Sequence, residues 1–201
     1  MLKIQNLSVH LKNTAIISDL NIELQLGQRF LWVGPSGVGK SILAKTISGY
    51  QQPTVGSVHL NGLKIAEPNQ FINYISQDDD LFFWQTVRQH IHFLNNQKFQ
   101  NQITDVAISA FGLQEYLDLY PSQLSGGTKR RLQLLRCLSF NSSVVILDET
   151  LSAMDLKLRN EILVYLDPVW KKNNALIICI THQEDEFLKN YFSKKILFPL
   201  N

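Results

Sequence analysis

Gly34-Pro35-Ser36-Gly37-Val38-Gly39-Lys40-Ser41 fits G-x-x-x-x-G-K-[ST] at every fixed position. Its context is as informative as the pattern. Arg29–Val33 before it reads as a buried strand, and Ser41–Tyr50 after it reads as a helix. Glycines let a backbone curl closely around phosphate oxygens with its N–H groups pointing inward. The following helix N-terminus adds partial positive charge. Lys40 has the reach to meet β- and γ-phosphates, and the Ser41 hydroxyl can ligate Mg²⁺.

The rest of the chain supplies a frame for this loop. Leu2–Leu7 and Leu20–Leu26 alternate apolar and polar residues, as antiparallel strands with one wet face do. Ser57–Leu60 and Leu63–Ile65 flank Asn61-Gly62, a pair suited to a type I′ hairpin turn. From Thr86 to Arg136 the pattern is helical. Val144–Leu147 and Leu176–Ile180 return to buried strand, with a helix at Leu156–Leu166 between them. Strands and helices alternate at both ends around a helical block, which implies an α/β core carrying a helical insertion.

Composition excludes several classes. At 201 residues the chain is one domain, or one core with an inserted subdomain. A net charge of +2 gives no electrostatic footprint for nucleic acid or anionic lipid, so no nucleic-acid partner is expected. Its two cysteines, Cys137 and Cys179, form neither a disulfide framework nor a metal cluster and read as core packing. The N-terminus lacks the basic and apolar segments of a signal peptide. No apolar run approaches the ~20 residues of a membrane span. A soluble, cytoplasmic chain is expected.

Val144-Val145-Ile146-Leu147-Asp148-Glu149 is a strand ending in acids, the second half that a phosphate loop needs. Asp148 stands where a Walker B aspartate holds Mg²⁺. Glu149 follows as a general base for the attacking water. A guanine-reading N-K-x-D is absent, which argues against a GTPase.

Leu124-Ser125-Gly126-Gly127-Thr128 resembles the L-S-G-G-Q signature of ATP-binding cassette (ABC) ATPases, and further motifs follow in that family's order. Gln77 resembles the Q-loop glutamine, Ser152-Ala153-Met154-Asp155 the D-loop, and Thr181-His182 the switch histidine. The resemblance covers nearly the whole chain. It implies a P-loop NTPase (RecA-like) α/β core with an N-terminal antiparallel β subdomain and an inserted helical subdomain. Residues 1–77 and 137–201 would form the ATP-binding core, and 78–136 the helical signature subdomain. Two cassettes would face head to tail, each ATP lying between one phosphate loop and the other cassette's Ser125, Gly126 and Gly127. The resemblance adds Asp155 to the nucleotide-contacting residues. It gives His182 the γ-phosphate and gives Gln77 both the Mg²⁺ and the water.

Thr128 and Arg130 stand where the family usually has glutamines, and Thr150 where it has proline. Leu11 falls where the family often stacks an aromatic ring on adenine. Leu81–Val87 is similar to the Trp-containing segment that importer cassettes carry after the Q-loop. Phe82, Phe83 and Trp84 either pack the helical subdomain or receive a partner helix. The expected function is an ATP-hydrolysing subunit that powers solute transport through a separate transmembrane permease, on the cytoplasmic face of the membrane. A substrate-binding protein is a further candidate partner. Alternatives are an export or lipid-moving cassette, or a soluble ABC ATPase of DNA repair or translation. The chain ends soon after His182, so no appended regulatory domain is expected.

Overall fold

Leu2, Ile4, Leu7 and Val9 bury one face of β1 (Leu2–Leu11), but the alternation slips one residue between Ile4 and Leu7. A bulge at Asn6, whose φ is +46°, absorbs the slip and restores the inward face. The bulge presses on Gly56, where a Cβ would sit 2.3 Å from the Asn6 carbonyl oxygen, so only glycine fits there. β2 (Thr14–Leu24) and β4 (Val55–Leu60) pair antiparallel with β1 on either side, and β5 (Leu63–Lys64) closes the sheet as the other half of the expected hairpin. Asn61 and Gly62 both have positive φ there, as a type I′ turn requires. The computed structural model describes residues 1–12, 14–78, 80–96, 103–152, 154–182 and 184–199.

The second sheet is wholly parallel, in the order β6 (Ile72–Ile75), β7 (Val144–Asp148), β8 (Leu176–Thr181), β3 (Arg29–Val33), β9 (Lys194–Leu197). Every residue of β7 and β8 is buried, so both faces of the sheet are covered. The strand period divides them between two cores. Val144, Ile146, Leu176 and Ile178 face the antiparallel sheet and α1 (Lys40–Ile47). Val145, Leu147, Ile177 and Cys179 face the other helices, α2 (Val87–Asn96) through α6 (Glu186–Tyr191). Of these, α2, α3 (Asp105–Ala110) and α4 (Gly126–Leu135) fall between β6 and β7 in the chain. Cys137 and Cys179 are fully buried, and burial pushes the Cys137 thiol up to about 12.

Several elements differ from expectation: β1 runs on past Leu7 to Leu11, β2 begins at Thr14 and ends at Leu24 instead of spanning Leu20–Leu26, and two helices have other ends. Helix α1 ends at Ile47, short of Tyr50, because Gly49 turns at φ +81° with its α-carbon against the Glu67 backbone. Helix α5 (Leu156–Lys172) continues past Leu166 and through Pro168. The carbonyl that Pro168 leaves without a helical partner belongs to Val164, which is exposed, so water can replace the lost donor. The expected helical stretch between Thr86 and Arg136 includes residues 97–102, which lie outside the described residues.

Candidate active site

The phosphate loop leaves β3 at Val33, passes Gly34, Pro35, Ser36, Gly37 and Val38, and enters α1 from Gly39. At Gly34 a Cβ would lie 2.7 Å from that of Phe198, and at Gly39 φ is +100° beside Ile16. Close approach and left-handed backbone therefore select glycine at both ends. The Lys40 amine folds back over the loop and donates to the carbonyls of Gly34 at 2.7 Å and Pro35 at 2.8 Å. Lys40 is buried, with those carbonyls as its neutral partners. A buried cation so placed favours an anion in the loop.

Strand β8 separates β3 from β7, and the end of β7 brings Asp148 to the loop. The Ser41 hydroxyl lies 3.1 Å from Asp148 Oδ1 and donates to it. The Tyr74 hydroxyl, on β6, donates to Oδ2 at 2.9 Å. Burial raises the Asp148 carboxyl above the usual range, against the pull of these hydrogen bonds and of Lys45 and Lys40. Burial beside Asp148 likewise pushes the Tyr74 phenol upward. Two hard oxygens, a hydroxyl and a carboxylate, meet at Ser41 and Asp148, and that donor chemistry fits Mg²⁺.

Glu149 turns the chain with φ +52°, a conformation few non-glycine residues hold. Its N–H donates to the Ile180 carbonyl at 3.0 Å and its carbonyl accepts from Ser152 at 2.7 Å, which locks the turn. The turn aims the carboxylate at His182, whose Nδ1 is 2.9 Å from Glu149 Oε2. Thr150 is buried, and its hydroxyl donates to the backbone carbonyls of Ile75 and Asp148, both at 3.3 Å. A proline at 150 would remove that tie to β6.

Gln77 follows β6, is exposed, and forms no side-chain hydrogen bond with Ser41, Asp148 or Glu149. Its backbone is gripped from α4. Arg130 donates to the carbonyls of Gln77 and Asp78, and Gln133 donates to Asp78 at 2.8 Å. Ser125 caps α4 by accepting the Thr128 N–H at 3.2 Å, with Gly126 and Gly127 opening the helix. Asp155 caps α5 by accepting the N–H groups of Lys157 and Leu158. Ala153, within the D-loop stretch, lies outside the described residues. No hydrogen bond joins Ser125 or Asp155 to the phosphate loop of its own chain among the described residues.

The apolar segment after Gln77 divides. Phe82 stacks on His90 at 5.7 Å and meets Phe93 edge-on, so it packs on α2. Phe83 projects outward, 75% exposed, while Trp84, 59% exposed, keeps its ring 5.3 Å from that of Phe82 and edge-on to Phe83. Beside them opens a cleft of about 740 Å³ that Tyr50, Tyr74, Phe82, Phe93, Leu132 and Phe140 help to line. Tyr74 therefore touches both the cleft and Asp148. The sequence reading missed this residue, because only the pairing of β6 with β7 reveals it.

A parallel sheet carrying this loop, with an acid pair ending a strand one position removed, defines a P-loop nucleoside triphosphatase. A family model described as ABC transporter matches residues 17–152. The thiamine import ATP-binding protein ThiQ of Photorhabdus laumondii is 34% identical over 194 residues, covering 92% of this chain and 82% of the relative. The taurine import ATP-binding protein TauB of Roseobacter denitrificans is 31% identical over 197 residues, covering 93% and 74%. The dimeric post-hydrolysis structure of the ATP-binding cassette MJ0796 bound to ADP and Pi superposes with a TM-score of 0.83 at 20% identity, covering 98% of this chain and 94% of that one. The chain belongs to the ABC transporter family as one of its ATP-hydrolysing cassettes. No helix among the described residues is long and apolar enough to cross a membrane.

Proposed function

We propose that this chain hydrolyses ATP at a site shared by two cassettes and so drives solute import through a separate transmembrane permease, from the cytoplasmic face of the membrane. The observation that carries the reading is the Glu149–His182 pair, held at the end of β7 and β8 beside a phosphate loop. The named relatives are import subunits, which favours import over export, lipid movement or soluble repair and translation roles.

In this reading the Lys40 amine exchanges the Gly34 and Pro35 carbonyls for the β- and γ-phosphates, supported by the backbone of residues 34–39. Ser41, Asp148 and Gln77 would hold Mg²⁺, which neutralises phosphate charge when bound. Glu149 accepts the proton of the attacking water. An ionised Glu149 only accepts hydrogen bonds, so the facing Nδ1 of His182 carries the hydrogen of the 2.9 Å contact. Nε2 then remains for the γ-phosphate, to which it donates when the ring is protonated.

Ser125, Gly126, Gly127 and Asp155 serve the nucleotide of the facing cassette. This explains why they sit at exposed helix starts away from their own phosphate loop. Residues 78–136 act as a helical subdomain on a core of 1–77 and 137–201. The Arg130 and Gln133 contacts couple it to the Gln77 loop. The aromatic cleft, together with the exposed Phe83 and Trp84 that follow its lining residue Phe82 in the chain, suits an apolar helix of the permease. A substrate-binding protein on the far side of the permease completes the scheme.

The test is affinity purification of the tagged chain from detergent-solubilised membranes. A co-purifying multi-span protein whose presence stimulates ATP hydrolysis supports the reading. Recovery without any membrane partner overturns it.

A further inference from the structure

At the start of α4 three side chains form a line of hydrogen bonds. Arg131 Nη2 donates to Thr128 Oγ1 at 2.8 Å. Thr128 Oγ1 lies 2.8 Å from Ser125 Oγ. The Thr128 N–H also donates to Ser125 Oγ, at 3.2 Å. Arg131 is itself anchored, donating to the carbonyls of Phe111 and Gly112 at 3.0 and 2.6 Å, with its guanidinium over the Tyr116 ring. Gly112, at φ +59°, leaves room for it, since a Cβ there would come within 2.7 Å of Nη1.

The Ser125–Thr128 contact can run in either direction, and burial decides which. Thr128 is 1% exposed, while Ser125 is open to solvent. A buried hydroxyl hydrogen without an acceptor costs about 1–3 kcal/mol, whereas an exposed one finds water. Among the hydrogen bonds of the described residues, Ser125 Oγ is the acceptor within reach of the Thr128 hydroxyl. A guanidinium can only donate, so Arg131 occupies a lone pair of Thr128 and leaves its hydrogen to point onward. Ser125 Oγ then accepts twice, from the Thr128 N–H and O–H, and its own hydrogen points out of the helix. The charge of Arg131 polarises the whole line in the same sense.

We propose that Thr128 is a positioning residue, which with Arg131 fixes the Ser125 hydroxyl as an outward donor to the phosphate of the nucleotide on the facing cassette. This rests on the reading of Ser125 as a contact across the cassette pair. Thr128 thus does work of its own at the position where the family signature usually has glutamine.

The experiment uses the Glu149→Gln chain, so that hydrolysis does not consume the ligand. Light scattering behind size exclusion gives the ATP concentration at which half the chain is dimeric. Ser125→Ala, Thr128→Val, their combination and Thr128→Ser are compared, with melting recorded for each. Ser125→Ala and Thr128→Val should each raise that concentration about tenfold or more. The double variant should be no worse than either single one, and Thr128→Ser should behave as the parent. ATP binding to the monomer should not move. If Thr128→Val fails to fold, Thr128→Ala is read in its place. No ATP-driven dimer, or no shift with Ser125→Ala, overturns the cross-cassette reading and the proposal with it. A shift with Ser125→Ala but none at Thr128, or effects that multiply in the double variant, overturns the proposal alone.

Discussion

His182 Nδ1 lies 2.9 Å from Glu149 Oε2, joining the residue after β8 to the residue after β7. The contact depends on a left-handed turn at Glu149, which costs backbone energy on the order of 1–3 kcal/mol and is locked by Ile180 and Ser152. Without the turn, alternation along β7 would send residue 149 to the face opposite Asp148 and away from the histidine. The strain thus places a carboxylate and an imidazole side by side at the strand ends, where the phosphate loop opens.

His182→Ala should lower the ATP turnover of the assembled transporter roughly 100-fold or more, the range for loss of a proton-handling or positioning group. ATP affinity measured without turnover should fall far less, because Lys40 and the loop remain and the γ-phosphate loses only the single His182 contact. A parallel loss of affinity would show that His182 serves binding instead.

Lys40→Ala should weaken ATP binding by about 10–100-fold, the worth of a charge-assisted contact. The fold should persist, since the amine's present partners are backbone carbonyls that water can satisfy. Equilibrium binding of a fluorescent ATP analogue checks this, with circular dichroism as the control.

Asp148→Asn should stabilise the nucleotide-free protein at neutral pH while abolishing Mg²⁺-dependent hydrolysis. Burial raises the Asp148 carboxyl in the folded chain, so the folded state holds its proton to higher pH than the unfolded state does. The ionised side chain therefore burdens the fold above its raised folded-state pKa. That burden fades as pH falls from there and is gone below the unfolded-state pKa. The gain in melting temperature, about 2–4 °C per kcal/mol for a chain of this size, should shrink on acidification. A gain that grows on acidification would contradict the assignment.

Phe83→Ser and Trp84→Ser should leave ATP binding of the isolated chain unchanged and cost little in melting temperature, because both side chains are mostly exposed even though the Trp84 ring touches Phe82. Their co-purification with a membrane partner should fall severalfold. Phe82→Ser should instead lower the melting temperature, as its ring packs on His90 and Phe93.

What the sequence shows well is what local spacing controls. The Gly34–Ser41 loop, the Asn61-Gly62 turn and the Val144–Asp148 strand all lie where their residue patterns put them. Local spacing is silent on partners distant in the chain. Tyr74 reaches Asp148 through the pairing of β6 and β7, and Arg130 reaches the Gln77 loop from α4. The slipped alternation at Asn6 hides part of β1 from a period-two reading. The periodicity shows α5 only to Leu166, yet the helix passes through Pro168 where the freed carbonyl meets solvent. The division of Phe82 from Phe83 and Trp84 is likewise a matter of packing, not of composition.

The central claim is that Glu149 is the base for ATP hydrolysis between two cassettes. The most direct measurement is ATP turnover and assembly state of the Glu149→Gln chain beside the parent, at saturating ATP and Mg²⁺. Turnover should be lower by at least about 100-fold, with ATP still bound and the chain accumulating as a dimer. Turnover equal to the parent's would contradict the claim.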